Sequence, residues 1–422
     1  MKPTRARRVV LGLLVAHYAN AYMDRMAIAG LAPHIRDEFA LSEVGLGAAF
    51  SVFSIAYALF QLPWGWLSDR FGARRMLPLM VAFWASFTAL TGAAWNTSSL
   101  LVGRFLFGVG SAGGFPAATQ AMSNWFPPHE RGMAQGLTHS GARVGAAIAL
   151  PLVAWIAAAS SWRMAFFVFA AISFVWAAVW HAYYRDRPED HPGVNDAERQ
   201  LITPLAAAVG DDNTRTVPWR VLLTSPNMRL LCLMYALVVY ANWVYFSWFP
   251  TYLVEARGFS FISGAMFGSV PLWIGAIGNT LGGWLTDRLA STRGLRFGRR
   301  AVAISGIWTT AFCIVAGVLS ANPWTALALL SLAAGALQIT VSVSWAVAID
   351  VGPRFSGTVS ALMNSCGNLG GALSPLIFGV LVAWTGSWQI PFVVSAAFCM
   401  LAGFLWLKID PERSVLIPHP QP

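Results

Sequence analysis

An acidic and a basic residue stand side by side inside the first long apolar stretch of the chain. Residues 19–30 read ANAYMDRMAIAG and place Asp24 next to Arg25. An ionised side chain at the middle of a bilayer costs at least ~2.5–3.5 kcal/mol, so it usually faces a cavity or a partner. Asn20 and Tyr22 lie about one helical turn before this pair. We therefore predict that one side of this helix is polar and binds or carries charge.

Asp24 is the candidate proton carrier. It is the one residue among eighteen acids that falls deep inside an apolar stretch. If an anionic substrate competes with Asp24 for the adjacent Arg25, proton and anion could load together. The alternative is a static ion pair between Asp24 and Arg25 that carries nothing.

Two further guanidiniums fall inside apolar stretches, those of Arg104 and Arg143. Three buried guanidiniums against one carboxylate leave an uncompensated positive charge, which a protein does not gain by burying. A carboxylate substrate would neutralise it and could accept two parallel hydrogen bonds from an arginine. Each arginine could instead be structural, Arg25 by pairing with Asp24 and Arg104 by donating to backbone carbonyls. His139, one turn before Arg143, could assist proton transfer because its ordinary pKa of about 6.5 suits cycling, or it could be a packed histidine.

In the second half of the chain, polar groups inside apolar stretches are amides and phenols. The candidates for binding the hydroxyls of a sugar acid are Tyr240, Asn242, Tyr245, Asn364 and Asn368. Hydrogen bonding between helices is an equally good interpretation of any one of them.

The composition is that of a helical membrane protein. Of the 422 residues, 57% are hydrophobic and only 11% are charged, against about 25% charged in soluble domains. Apolar windows of about twenty residues recur along the chain and predict twelve transmembrane helices. Most of the 28 Lys and Arg residues fall in the termini and in alternate loops, which predicts that both termini are cytoplasmic. The net charge of +10 is therefore a topology signal, and we expect no binding to nucleic acid.

The sequence offers no pattern for an enzyme or a bound metal. Its four cysteines all fall inside apolar stretches, which disfavours disulfides and zinc sites. Nucleophile and base residues do not occur in a recognisable constellation. We expect no catalysis, no cofactor and no metal.

The chain is predicted to be a duplication. GWLSDR begins at Gly65 and GWLTDR begins at Gly283, 218 residues later, and other matches recur at a similar spacing. We predict two pseudo-symmetric six-helix bundles, 1–184 and 222–422, joined by a polar cytoplasmic linker, 185–221. Asn195 and Glu198 have the spacing of a helix cap, which predicts a short surface helix near 196–208.

The segment GWLSDRFGARR, from Gly65 to Arg75, resembles the loop between the second and third helices of the major facilitator superfamily. The segment RFLFG, which begins at Arg104, resembles an element of that superfamily's fourth helix. The resemblance implies that the acids and arginines of this loop and of its copy form a conformational latch. Those residues are Asp69, Arg70, Arg74, Arg75, Asp287 and Arg288. Topology alone would account for the arginines but not for the acids.

Narrower features resemble the anion:cation symporter family, whose members transport hexuronates, galactonate, glucarate, phthalate and related acids. The matching features are YMDR in the first span, Tyr57 in the second, Arg104, DRPEDHPGVNDAE after the sixth span, WFPTYL and NSCGNLGGALSP. The resemblance implies substrate binding by Tyr22, Arg25, Tyr57 and Arg104. Galactonate-type members often carry an acid near the position of Ser111, which leaves Asp24 alone or with His139 to couple protons.

Together these patterns predict a secondary active transporter that couples protons to the uptake of a small organic anion by alternating access. The alternative is an anion exchanger or facilitator without strict proton coupling. Drug efflux is less favoured, because the fifth span lacks the Gly- and Pro-rich element of superfamily drug antiporters. We expect a monomer in the bacterial inner membrane whose partners are the anion, protons and lipid.

Overall fold

A computed structural model of the chain describes residues 3–41, 43–202, 217–259 and 261–415. Over these ranges the regular secondary structure is helical, without strands. The helices in the first half are α1 (Ala6–Gly30), α2 (Ala32–Phe39), α3 (Glu43–Phe71), α4 (Ala73–Gly92), α5 (Thr97–Ser111), α6 (Gly114–Trp125), α7 (Pro128–Ala159), α8 (Trp162–Tyr183) and α9 (Asp196–Ile202). Those in the second half are α10 (Trp219–Thr224), α11 (Pro226–Ser247), α12 (Phe249–Glu255), α13 (Phe261–Gly268), α14 (Val270–Arg293), α15 (Leu295–Leu319), α16 (Pro323–Val351), α17 (Ser356–Thr385) and α18 (Gln389–Lys408).

Eight stretches of the described chain are long and apolar enough to cross a membrane. One of them combines α5 and α6, and the others correspond to α7, α8, α11, α15, α16, α17 and α18. Four more long helices, α1, α3, α4 and α14, have at least 20 residues each. Their polar residues include the candidate site of α1 and the two GWLxDR segments.

The chain divides into two compact units. The first contains Met1–Pro127, Gly141–Val217 and Pro353–Ala361, and the second contains Pro128–Ser140, Pro218–Gly352 and Leu362–Pro422. Helices α7 and α17 therefore each contribute their first turns to one unit and their remainder to the other. The bundle boundaries that the repeat predicts, 1–184 and 222–422, stay a prediction.

A glycine brings α1 and α7 into backbone contact within the first unit. A Cβ atom built on Gly145 would lie 2.6 Å from the Cα atom of Ala19 and closer still to its carbonyl oxygen. Carbon atoms pack at about 3.5–4.0 Å, so a side chain at this position requires the two helices to separate. The approach fixes α1, and with it Asp24 and Arg25, against α7.

We expect Gly145→Ala to lower the free energy of unfolding by about 1–3 kcal/mol, because it overpacks this contact. Gly12→Ala is the matched control. Gly12 lies on α1, the helix that Gly145 of α7 contacts, and nothing lies within 4 Å of a Cβ atom built on Gly12. The thermal unfolding midpoint of each purified variant in detergent measures the effect. Equal midpoints for the two variants would show that the α1–α7 contact is not tight.

The chain before α1 is tied to the start of α9. Asn195 accepts a hydrogen bond from the backbone N–H of Glu198 at 2.9 Å, as the predicted cap requires. The buried Glu198 carboxylate in turn accepts from the Thr4 hydroxyl and from the backbone N–H of Arg7. Helix α9 is described as far as Ile202, and the remainder of the predicted surface helix, 203–208, lies outside the described residues.

Candidate functional site

Asp24 is buried inside the first unit, where α1 faces α4 and α8. Its side chain is 1% exposed. Its Oδ2 atom accepts two hydrogen bonds, from Trp84 Nε1 at 3.0 Å and from Ser173 Oγ at 2.9 Å. Ser173 accepts in turn from Asn20 Nδ2 at 2.7 Å. The carboxylate is thus oriented by a short network that begins and ends on α1.

The second carboxylate oxygen of Asp24 is placed differently. Its Oδ1 atom is buried and has no hydrogen-bond partner within the described part of the chain. A buried acceptor without a partner costs about 1–3 kcal/mol. Because both donors converge on Oδ2, Oδ1 is the atom that can accept a proton or a hydrogen-bond donor from a ligand.

Arg25 lies in an aromatic cage. Its guanidinium carbon is 4.6 Å from the ring centre of Tyr57, 4.9 Å from that of Tyr22 and 5.1 Å from that of Phe53. Such contacts stabilise a cation by ~0.5–2 kcal/mol without neutralising it. No carboxylate of the described residues forms an ion pair with Arg25. The static Asp24–Arg25 pair is therefore not formed.

Arg104 of α5 is also held by rings. It is 2% exposed, and its guanidinium carbon is 4.7 Å from the ring centre of Phe107 and 5.1 Å from that of Phe53. Its Nε atom is buried without a hydrogen-bond partner, and over the described ranges it forms no ion pair. Arg104 interacts electrostatically with both Arg25 and Asp24.

The two guanidiniums share one ring. Each guanidinium carbon lies 5.1 Å from the Phe53 centroid, so the two carbons are no more than about 10 Å apart. Like charges at this separation repel strongly where water is scarce. The buried Asp24 is one negative charge beside two positive ones, and an anion placed between Arg25 and Arg104 would relieve the imbalance.

Two other polar residues considered in the sequence analysis, Arg143 and Ser111, also lie in the first unit. Arg143 of α7 is 8% exposed, so it is buried like Arg104, whereas Arg25 is half-buried. Ser111 is also buried, and its hydroxyl donates to the carbonyl oxygen of Gly108 in its own helix at 3.4 Å. Among the predicted substrate-binding residues of the first unit, Tyr22 and Tyr57 contact Arg25, and Arg25 and Arg104 both contact Phe53.

Comparisons with known proteins agree with this architecture. The family described as Major Facilitator Superfamily matches residues 14–295 and 294–421. The chain belongs to the Major Facilitator Superfamily. It is 37% identical over 415 residues to a probable sulfoacetate transporter of Cupriavidus necator, covering 98% of this chain and 96% of the relative. It is 30% identical over 404 residues to the hexuronate transporter of Bacillus subtilis, covering 95% and 93% of the two chains.

A solved structure shares the fold. The proton:xylose symporter XylE, bound to 6-bromo-6-deoxy-D-glucose, superposes with a TM-score of 0.78 and 14% identity over 96% of each chain. The predicted fold class, an all-α membrane protein with the twelve helices of this superfamily, is confirmed. The predicted resemblance to organic acid transporters is confirmed by the curated relatives, and the chain is a transporter and not an enzyme.

The predicted latch acids of this superfamily member each bind backbone N–H groups near the start of another helix. In the first unit, Asp69 Oδ1 accepts from the backbone N–H of Gly357 at 3.0 Å, and Oδ2 accepts from the N–H and hydroxyl of Thr358, each at 2.6 Å. The first N–H groups of a helix have no partner within it and favour negative charge. Asp69 at the end of α3 therefore caps α17.

The second copy of the motif makes a similar contact in the second unit, with the fifth and sixth residues of α7. Asp287 Oδ1 accepts from the backbone N–H of Gly132 at 3.0 Å, and Oδ2 accepts from that of Met133 at 2.6 Å. Asp287 also accepts from Arg299 Nη1 at 2.7 Å. The ion network continues through Asp350, which binds Arg299 Nε at 2.9 Å and Arg131 Nη1 at 2.8 Å. The start of α7 is thus held by α14, α15 and α16.

The latch arginines have separate surroundings. Arg70 lies over the rings of Trp66 and Phe71, and Arg288 lies over that of Trp284. The backbone N–H of Arg74 donates to Asp186 at 3.0 Å, and Arg75 is exposed.

We expect Asp69→Asn to reduce the free energy of unfolding by about 1–3 kcal/mol, because one amide oxygen cannot accept at both carboxylate positions. Asp287→Asn should reduce it more, by about 3–5 kcal/mol, since it also removes one of the two carboxylates that bind the buried Arg299. Thermal unfolding of the purified chain in detergent ranks the two variants. Arg75→Gln, at an exposed position, should leave the midpoint within experimental error. The reverse ranking of the two acids would contradict this account.

The predicted amides of the second unit already bind protein groups. Asn242 Oδ1 on α11 accepts from Gln338 Nε2 on α16 at 2.8 Å. Asn368 Nδ2 on α17 donates to the carbonyl oxygen of Asn364 in the same helix at 2.8 Å. These contacts match the structural alternative of interhelical and intrahelical hydrogen bonding.

The two predicted tyrosines of α11 point into apolar surroundings. Tyr240 packs on Phe398 of α18 with ring centres 4.9 Å apart, whereas Tyr245 packs on Phe249 at 5.6 Å. Both hydroxyls are buried and have no hydrogen-bond partner among the described residues. Tyr240 and Tyr245 therefore pack against different neighbours.

His139 belongs to the second unit, and Asp24 to the first. Its Nδ1 atom lies 2.9 Å from the carbonyl oxygen of Gln135, and its ring centre lies 5.3 Å from that of Trp345. Trp345 Nε1 donates to the hydroxyl of Tyr235 at 2.7 Å. This is the packed, hydrogen-bonded environment of the structural alternative for His139.

Sequence reasoning missed four residues that shape these sites. Trp84 and Ser173 orient Asp24, Phe53 contacts both arginines, and Gln338 binds Asn242. An apolar ring and a lone serine give no periodic signal within an apolar helix.

Proposed function

We propose that this chain transports a small organic anion, a carboxylate such as a sugar acid, into the cell by proton-coupled symport. The observation that carries the proposal is the pair of guanidiniums, Arg25 and Arg104, which share the Phe53 ring and form no ion pair with any described residue. Cations withdrawn from water in this way need a counter-charge, and a planar carboxylate is suited to a guanidinium. Tyr22 and Tyr57 would then position the substrate beside Arg25, and Arg143 would add to the positive field.

The relatives support an acid as the substrate. The hexuronate transporter of Bacillus subtilis is named for a sugar acid, and the Cupriavidus necator relative for sulfoacetate, a small dianion with a carboxylate and a sulfonate. Two guanidiniums, each able to bind one acidic group, fit a dianion of that size as well as a hexuronate. A sulfonated carboxylate is therefore the second candidate substrate.

We propose that Asp24 carries the coupled proton. Its Oδ1 atom has no hydrogen-bond partner among the described residues, Arg104 interacts electrostatically with it, and Arg25 and His17 lie on the same helix. An anion that draws the two guanidiniums away from the Asp24 carboxylate would favour protonation of Asp24. The anion and the proton would therefore bind together. His139 would assist proton transfer in a later step. The alternative function is an anion exchanger without strict proton coupling.

We further propose that the six-helix halves, 1–184 and 222–422, rock about the bound substrate in alternating access. The amide contacts of Asp69 and Asp287 with the starts of α17 and α7 would break and reform in each cycle. Amides and phenols of the second half, Asn242, Asn364, Asn368, Tyr240 and Tyr245, would then take up the hydroxyls of a sugar acid. We place the chain as a monomer in the bacterial inner membrane with both termini in the cytoplasm.

Uptake into proteoliposomes tests the proposal. The panel contains a hexuronate, an aldonate, an aldarate, an aromatic acid, sulfoacetate and the neutral sugar xylose, each with and without an inward proton gradient. We expect uptake of at least one acid, accelerated by the gradient, and none of xylose. Uptake of xylose and of no acid would refute anion transport, whereas gradient-independent exchange of an acid would favour the alternative.

A further inference from the structure

An apolar groove runs along the outside of the second unit, beside α11 and α17. Its volume is about 620 Å³, and aliphatic side chains form most of its walls. Tyr240 and Phe398 close one end, and Arg229, the one charged residue that lines it, lies at the other. Three of its leucines, Leu233, Leu369 and Leu373, are between 51% and 64% exposed. The groove is therefore open along its length to whatever surrounds the helices.

The groove is long enough to span the hydrocarbon thickness of one leaflet of a bilayer. Its lining extends along α17 from Leu362 to Ile377, which is about 22 Å of helix at 1.5 Å per residue. Half of the hydrocarbon core of a bilayer is about 15 Å thick. A chain that starts at a membrane surface and lies in this groove would thus remain within it through one leaflet.

The charged end of the groove is built for a negative group. Arg229 stands in the first turn of α11, and its side chain is exposed. Its Nη2 atom donates to the carbonyl oxygen of Thr224 at 3.0 Å, which orients the guanidinium and leaves other N–H donors for a ligand. Arginine binds phosphate with planar, charge-assisted hydrogen bonds.

We propose that this groove is a binding site for an anionic phospholipid of the surrounding bilayer. One acyl chain would lie along α11 and α17 up to Tyr240, and the phosphate headgroup would bind Arg229. The site is separate from the arginines of the first unit, so it does not depend on the substrate of the transporter. Its expected role is to hold α11 against α17.

The groove carries its own reporter groups. Two of the four free cysteines, Cys232 and Cys366, line it, and the other two, Cys313 and Cys399, do not. In a Cys313→Ala, Cys399→Ala background, alkylation by monobromobimane therefore reports access to the groove alone. A lipid chain that occupies the groove should shield both thiols.

The experiment compares alkylation rates in nanodiscs of phosphatidylcholine and in nanodiscs that also contain phosphatidylglycerol. We expect phosphatidylglycerol to slow alkylation at least threefold, and Arg229→Gln to remove the difference. Arg293→Gln is the matched control, an exposed arginine of the same unit that lies over Phe297 outside the groove, and it should keep the difference. Equal rates in both lipids, or the same loss in both variants, would overturn the proposal.

Native mass spectrometry of the chain with all four cysteines provides a second readout that does not depend on the alanine background. The unaltered chain should retain one more phosphatidylglycerol molecule than the Arg229→Gln chain after release from mixed nanodiscs. Equal numbers of retained phosphatidylglycerol molecules would refute the headgroup contact.

Discussion

Replacement of Asp24 by asparagine is expected to abolish accumulation of substrate against its gradient. One coupled proton can support about tenfold accumulation per unit of pH gradient, because one pH unit corresponds to about 1.36 kcal/mol. Asparagine cannot bind and release that proton, so uptake should fall to equilibration across the membrane. Exchange of labelled for unlabelled substrate should survive. Proteoliposomes with an imposed pH gradient measure both activities.

The structure indicates that this variant will fold. Both donors to Asp24, Trp84 Nε1 and Ser173 Oγ, reach the same oxygen. An asparagine can place its amide oxygen there and keep both hydrogen bonds. Asp37→Asn, at an acid of α2 with a 76% exposed side chain, is the matched control and should accumulate substrate normally. Undiminished accumulation by Asp24→Asn would remove Asp24 from the coupling step.

The second large effect is expected at the two arginines. Arg25→Lys and Arg104→Lys keep the positive charge but lose the planar fork that binds a carboxylate through two hydrogen bonds. Loss of one charge-assisted hydrogen bond is worth about 1.5–3 kcal/mol, so half-maximal uptake should require a roughly 10- to 100-fold higher substrate concentration. Initial rates of uptake over a range of concentrations give this value.

Two controls separate binding from other defects. Arg75→Lys changes an exposed arginine of α4 in the same way and should leave the apparent affinity unaltered. Titration calorimetry of the purified variants measures substrate binding without transport. If both Arg25→Lys and Arg104→Lys bind and transport with the affinity of the unaltered chain, the guanidiniums do not hold the substrate.

The sequence was sufficient for the fold and for the charged members of the site. Asp24, Arg25 and Arg104 can be found because a charge within an apolar helix is rare and demands a reason. Their surroundings could not be found in the same way. Phe53 contacts both arginines, yet a phenylalanine in an apolar helix is what lipid contact or core packing would also select.

The partners of Asp69 and Asp287 show a second limit of prediction from the sequence. Both acids bind mainly backbone N–H groups at the start of a distant helix, those of Thr358 and Met133 among them. Every residue except proline carries such a donor, so no residue type marks the position. The repeated GWLxDR motif predicted that both acids act alike, and the three-dimensional structure was needed to find what they bind.

These two contacts have a consequence for a chain cut in its linker. Asp69 would lie on one fragment and its partners Gly357 and Thr358 on the other, whereas Asp287 and its partner Gly132 would be divided in the opposite sense. Each fragment alone would carry one of the two carboxylates and the helix segment that the carboxylate of its complement contacts. Two co-expressed fragments should therefore protect each other from degradation, and the gene could be split there without loss of assembly.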